Sequence, residues 1–120
     1  MYVDLHCHSY YSDGTEAPES LVNAAIERGI SHLALTDHDC LAGVERLWDA
    51  LPGRVSAPPE GEVGAEGAAG LAVIAGVEIS CDWNGLEIHI VGLLETPKHP
   101  TLAALLHTQQ AARRLRAAEI

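Results

Sequence analysis

Three times in this chain an apolar run of strand length breaks off into histidines or acids. The run from Tyr2 ends in Asp4-Leu5-His6-Cys7-His8. The run over residues 32–36 continues into Asp37-His38-Asp39, and the run over 71–74 leads into Gly76-Val77-Glu78-Ile79-Ser80. Barrels and open α/β sheets collect their sites at the carboxyl ends of strands, so this recurrence favours folds that bring several strand ends to one place. Helical patterns lie between the runs. Pro18 suits a first helical position, with Ala17 a weak N-cap and Glu19 in the first turn; Leu21, Val22, Ala25 and Ile26 form an apolar stripe that Gly29 closes. Leu41, Val44, Leu47, Trp48 and Leu51 mark a second helix over 41–51, stopped by Pro52-Gly53. A third begins near Thr101, with Leu102, Leu105, Leu106 and Ala112 expected inward. Residues 86–91 alternate strictly and predict a strand, and Asn84-Gly85 before it is a strong hairpin signal. The order strand-helix-strand-helix-strand-hairpin strand-helix predicts an α/β fold with a mainly parallel sheet. The stretch 54–70 is rich in Ala, Gly, Glu and Pro and is expected to be a flexible loop.

The strand ends carry the chemistry. Alternate residues of a strand share a face, so His6 and His8 are expected to project together with Asp4, while Val3, Leu5 and Cys7 face a core. Paired imidazoles make half a metal site. Asp13, on a Ser12-Asp13-Gly14 turn, can swing a carboxylate toward the same point. His38 is flanked by Asp37 and Asp39, and a ligating imidazole needs its second ring nitrogen held; either aspartate can do this. Glu78 stands between Val77 and Ile79, where a carboxylate is costly unless paired or bound to a metal. His89 shares a strand face with Glu87 and Val91, and the hairpin returns it toward Glu78. His32, His99 and His107 have no such support and are expected to be structural. Cys7 is expected in the core, and Cys40 and Cys81 as packing residues near the motifs. Arg113, Arg114 and Arg116 form either a solvated helix face or a phosphate contact.

Composition narrows the function classes. The chain has 120 residues, enough for one domain, and 48% are apolar, which excludes disorder throughout. A net charge of −10 makes a poor nucleic-acid clamp, unless bound divalent cations reverse the local field. The three cysteines are widely spaced and form no Cys-x-x-Cys pair; a disulfide framework is not expected, and a cytoplasmic location is. No basic-then-apolar leader is visible, and no apolar run reaches the ~20 residues of a spanning helix. Nucleophile elbows, Walker loops and dinucleotide-binding glycine motifs are absent.

Asp4-Leu5-His6-Cys7-His8 with Ser12-Asp13-Gly14, then Thr36-Asp37-His38-Asp39, Gly76-Val77-Glu78-Ile79-Ser80 and Glu87-Ile88-His89-Ile90-Val91-Gly92-Leu93, resemble in order the motifs of the polymerase-and-histidinol-phosphatase (PHP) family of metal-dependent phosphoesterases. Within it, the Glu87–Leu93 strand, His99-Pro100 and the Arg113-x-x-Arg116-Ala117-x-x-Ile120 pattern resemble the bacterial TrpH-like or YciV-like branch. Members of that branch are 3′,5′-nucleoside bisphosphate phosphatases and 5′→3′ exoribonucleases on short RNA. The resemblance implies the N-terminal part of a distorted (β/α)7 TIM-like barrel with a β-hairpin. It implies up to three divalent metals: one on His6, His8 and Glu78, a second reached by Glu78 and His89, a third on Asp13 and His38. Mn²⁺, Zn²⁺ and Fe²⁺ all suit such donors. Asp37 and Asp39 are expected to orient His38 rather than attack, and Arg113 and Arg116 to bind substrate. The implied substrate is a small phosphorylated nucleotide or short RNA, with no membrane and no obligate protein partner. Histidinol-phosphate phosphatase, a polymerase-associated PHP domain and a non-catalytic metal-binding module are the alternatives. The family carries further ligands after this point, a histidine before a proline and then an aspartate and a histidine near the end of its barrel, and this branch a small helical insert. None is found in residues 1–120, so the chain is expected to be an amino-terminal portion, without the second half of the barrel and inactive in isolation.

Overall fold

The computed structural model describes residues 2–50 and 71–119. The expected loop over 54–70, Leu51 and the Pro52-Gly53 stop lie outside them. Four strands and three helices follow the expected order: β1 (Tyr2–Cys7), α1 (Pro18–Glu27), β2 (Ile30–Leu35), α2 (Ala42–Ala50), β3 (Ala72–Trp83), β4 (Leu86–Leu94) and α3 (Pro100–Glu119). They form one sheet in the order β1-β2-β3-β4. The first two pairings are parallel, as helical crossovers require, and β3 with β4 is antiparallel. Asn84 and Gly85 both have left-handed φ, 52° and 80°, which gives the tight turn that a two-residue hairpin needs. It sets Trp83 opposite Leu86 and, further along, Ser80 opposite His89 and Glu78 opposite Val91.

The helices follow their sequence signals. Pro18 opens α1, and Ala17 makes no side-chain cap. Val22 and Ala25 from α1, Val44 and Leu47 from α2, and Leu33, Leu35, Leu71, Val73 and Ala75 from the sheet form the main core. A second, smaller cluster sets Leu41 and Val77 against Leu106 of α3.

Two expectations about burial fail, one at the margin of the sheet and one on α3. Val3 and Leu5 remain 51% and 38% exposed, and β1 is an edge strand among the described residues. The pairing of β1 with β2 also slips between Asp4 and Cys7, where simple alternation stops applying. Leu86, Ile88 and Ile90 on the opposite edge strand are exposed too. On α3, Leu106 is buried and Leu102 half-buried as expected, but Leu105 and Ala112 are exposed. Cys7 meets its expectation only partly. It packs half-buried against the main core with its Sγ donating to the Ala34 carbonyl at 3.4 Å.

Candidate metal centre

The loop after β2 is stitched between its neighbours by backbone bonds. Thr36 N–H donates to Cys7 O at 2.9 Å. Glu78 N–H donates to Asp37 O at 3.0 Å, and Asp39 N–H donates to Glu78 O at 2.9 Å. His38 thereby becomes a bridge partner of Glu78. His6 and His8 arrive from the end of β1, His89 from β4 across the hairpin, and Asp13 from the turn that follows β1.

Glu78 is the meeting point, and it is 3% exposed. Its Oε1 lies 2.6 Å from His6 Nε2. Its Oε2 lies 2.9 Å from His38 Nδ1, 3.4 Å from His8 Nε2 and 3.7 Å from His89 Nδ1. Asp13 adds a second carboxylate, with Oδ1 at 2.5 Å from His8 Nδ1 and Oδ2 at 3.1 Å from His38 Nε2. Desolvation pushes the Asp13 carboxyl up, but the His8 hydrogen bond and the nearby His8 and His38 rings together outweigh it and hold the group below the usual range. The six residues form three overlapping groups whose donor atoms lie within 4.8 Å of one another: His6, His8 and Glu78; His8, Asp13 and His38; His38, Glu78 and His89. Two of their nitrogens, His8 Nε2 and His38 Nδ1, are buried close to Glu78 Oε2 but not aligned for a hydrogen bond to it. Buried polar atoms are rarely left so. Orphaned imidazole nitrogens facing a shared buried carboxylate are the donor set that a divalent cation takes. The residues therefore fit bound metal.

All six expected ligands come together, with one change of grouping. His8 and His38 each serve two groups, where the resemblance implied one apiece. Asp4 does not join them; its Oδ1 accepts from the His6 backbone N–H. Neither Asp37 nor Asp39 touches the His38 ring, contrary to expectation. Asp37 accepts only from Ser9 and Ser12. Asp39, fully buried at a left-handed φ of 48°, accepts from Ser80 N–H at 3.1 Å and has Arg113 Nε 2.9 Å from its Oδ2. The left-handed backbone at Asp39 and the serine donors around Asp37, not the sequence neighbourhood, decide where each flanking carboxylate points.

Beside the ligands opens a cleft of about 620 Å³, walled by Tyr11, Asp13, His38, Cys40, His89 and Arg113. Arg113 also donates to Ser80 Oγ at 2.9 Å. Of Arg116 only its place on α3 is described. Cys40 sits half-buried on the cleft wall, where burial raises its thiol pKa and keeps it protonated. Two features had no local signal in the sequence. Arg46 joins α2 to α1 and the first turn, donating to Glu19 Oε1 at 2.6 Å and to the Tyr10 hydroxyl at 2.5 Å. Gln109 and Gln110 tie α3 to the carbonyls of Ser80 and Asp39. These partners are 27 to 71 residues apart in the chain.

The sheet is a half-barrel of α/β type that carries a histidine–carboxylate cluster at its strand ends, the architecture of TIM-like proteins. The chain belongs to the PHP domain family, whose pattern it matches over residues 4–115. It is 44% identical over 117 residues to a 5′-3′ exoribonuclease of Haemophilus influenzae, covering 98% of this chain and 37% of that protein. It is 36% identical over 118 residues to a 3′,5′-nucleoside bisphosphate phosphatase of Chromobacterium violaceum, covering 98% and 36%. Among solved structures, it superposes on an amidohydrolase from Chromobacterium violaceum, solved with sulfate and no metal, with a TM-score of 0.78 at 35% identity, covering 99% of this chain and 37% of that one. A Bifidobacterium adolescentis protein assigned as a metal-dependent phosphoesterase gives 0.76 at 27%, covering 98% and 36%. The chain thus spans about a third of the length of the curated relatives it matches. Its sheet is the N-terminal part of their barrel.

Proposed function

We propose that the full-length protein is a metal-dependent phosphoesterase acting on 3′,5′-nucleoside bisphosphates and on the 5′ ends of short RNA. The observation that carries this reading is the overlap of three ligand groups around Glu78, at the edge of an open cleft. The names of the exoribonuclease and bisphosphate phosphatase relatives support the substrate class. When bound, divalent cations (up to three, as Mn²⁺, Zn²⁺ or Fe²⁺) polarise the phosphoryl group and make hydroxide available near neutral pH, since one zinc lowers the pKa of its water to about 7.

This chain's own residues do the holding. His6, His8, Asp13, His38, Glu78 and His89 supply nitrogen and oxygen donors from four segments. Asp13, kept ionised, offsets cationic charge on the outer side. Arg113, on the cleft wall, and Arg116, further along α3, bind substrate phosphate; the Asp39 carboxylate 2.9 Å from Arg113 Nε fixes where that guanidinium can reach. The protein works in the cytoplasm without an obligate protein partner. Residues 1–120 alone hold metal but do not turn substrate over, because the rest of the barrel completes the cleft.

The test is His8→Ala in the full-length protein. His8 belongs to two ligand groups, so bound metal and turnover both fall, turnover by more than 100-fold. Unchanged metal content and turnover would refute the assignment.

A further inference from the structure

Asp37 is adjacent to the ligand His38, yet its carboxylate is turned away from that ring and into the first motif. It is fully buried. Oδ1 accepts from Ser9 N–H at 2.6 Å and from the Ser12 hydroxyl at 2.8 Å; Oδ2 accepts from the Ser9 hydroxyl at 2.7 Å. Ser9 and Ser12 bracket the turn between His8 and Asp13. Ser9, also fully buried, organises the rest of that turn. Its carbonyl accepts from Ser12 N–H and Gly14 N–H at 3.1 and 2.9 Å, and its hydroxyl accepts from Tyr11 N–H at 3.2 Å. A carboxylate contributed by the end of β2 thus grips a turn 28 residues earlier in the chain. The third neighbour leaves no slack. A Cβ at Gly43 would lie 2.8 Å from Asp37 Oδ2 and 3.2 Å from Ser9 Oγ, so α2 passes this point only with glycine.

A buried carboxylate is costly unless hydrogen-bonded, and here three charge-assisted bonds from one backbone N–H and two hydroxyls satisfy it. All three donors belong to the segment that carries two ligands. We propose that Asp37 is a positioning residue of the metal centre, acting through Ser9 and Ser12 to set His8 and Asp13. The inference rests on the metal-centre reading above. It separates the ligands into two sets. Glu78 and His89 are held by backbone bonds, chiefly the β3–β4 ladder, and make no hydrogen bond to the Asp37 carboxylate. The group formed by His8, Asp13 and His38 depends on it most, because two of its three members flank the gripped turn.

The experiment is a Mn²⁺ titration of the metal-stripped full-length protein and of its Asp37→Ala, Asp37→Asn and Asp13→Ala variants. Asp37→Ala weakens one class of Mn²⁺ site about 10–100-fold, the usual effect of removing a group that orients a ligand. That class is the one Asp13→Ala removes. Asp37→Asn, which keeps an oxygen for Ser9 N–H and Ser12, recovers most of the affinity. Equal weakening at every site, or none at any, would overturn the proposal. If Asp37→Ala does not fold, Ser12→Ala decides: the same class weakened supports it, an unchanged titration overturns it. Wild-type protein that binds no Mn²⁺ would overturn the metal reading and this inference together, whereas normal wild-type binding with unaffected variants overturns this inference alone.

Discussion

Glu78 sits on a strand buried on both sides, where a carboxylate is tolerated only with partners, and four imidazoles supply them within 3.7 Å. Glu78, His8 and His38 each belong to two of the candidate ligand groups, whereas His6, Asp13 and His89 each belong to one. Alanine at His8 or His38 should therefore release more metal than alanine at His6 or His89, as read by elemental analysis of the purified full-length variants. Equal losses from all four would count against shared ligation. Cys7 offers a test free of metal. Burial first, then the negative Asp4 and Asp37, push its thiol up from 9.0 to about 12. A raised folded-state pKa means that its contribution to stability is complete below the unfolded value near 9 and fades as pH rises toward 12. Cys7 should resist iodoacetamide at pH 8.5 in the folded protein and react once unfolded. Replacing it with alanine should flatten the fall in stability between pH 9 and 11. The ligand types were legible at this scale because each sits at a strand end. The partners of Asp37 were not, because hydrogen bonds across 28 residues leave no trace in a local pattern.

Among the elements, the hairpin sets the site's register. Asn84 and Gly85 place Ser80 opposite His89, and a slip of one residue would turn His89 to the other face. Gly85→Val forces a β-branched residue into a left-handed conformation at a cost of about 1–2 kcal/mol or more. It should lower the melting temperature and weaken metal binding together. Leu47 on α2 is 1% exposed in the main core, and Leu47→Ala should cost about 2–5 kcal/mol in a urea titration while metal stoichiometry in the folded protein stays unchanged. The hairpin, α1 and the strand order were readable because turn chemistry, an N1 proline and apolar spacing are local signals. The exposure of Val3, Leu5, Leu86, Ile88 and Ile90 was not, because apolar alternation reports a face that can be covered, not whether anything in residues 1–120 covers it.

Across the whole molecule, β1 and β4 are both edge strands that carry exposed apolar side chains, and both flank the metal ligands. Paired or covered edges are the rule in stable sheets. The relatives are about three times as long as the region matched here. The most direct test is phosphate release from adenosine 3′,5′-bisphosphate by the full-length protein with added Mn²⁺, with and without a chelator. The expected result is release that the chelator abolishes and excess Mn²⁺ restores. Absence of release with Mn²⁺ fully bound would contradict the bisphosphate assignment, and release that survives complete metal removal would contradict the metal centre itself.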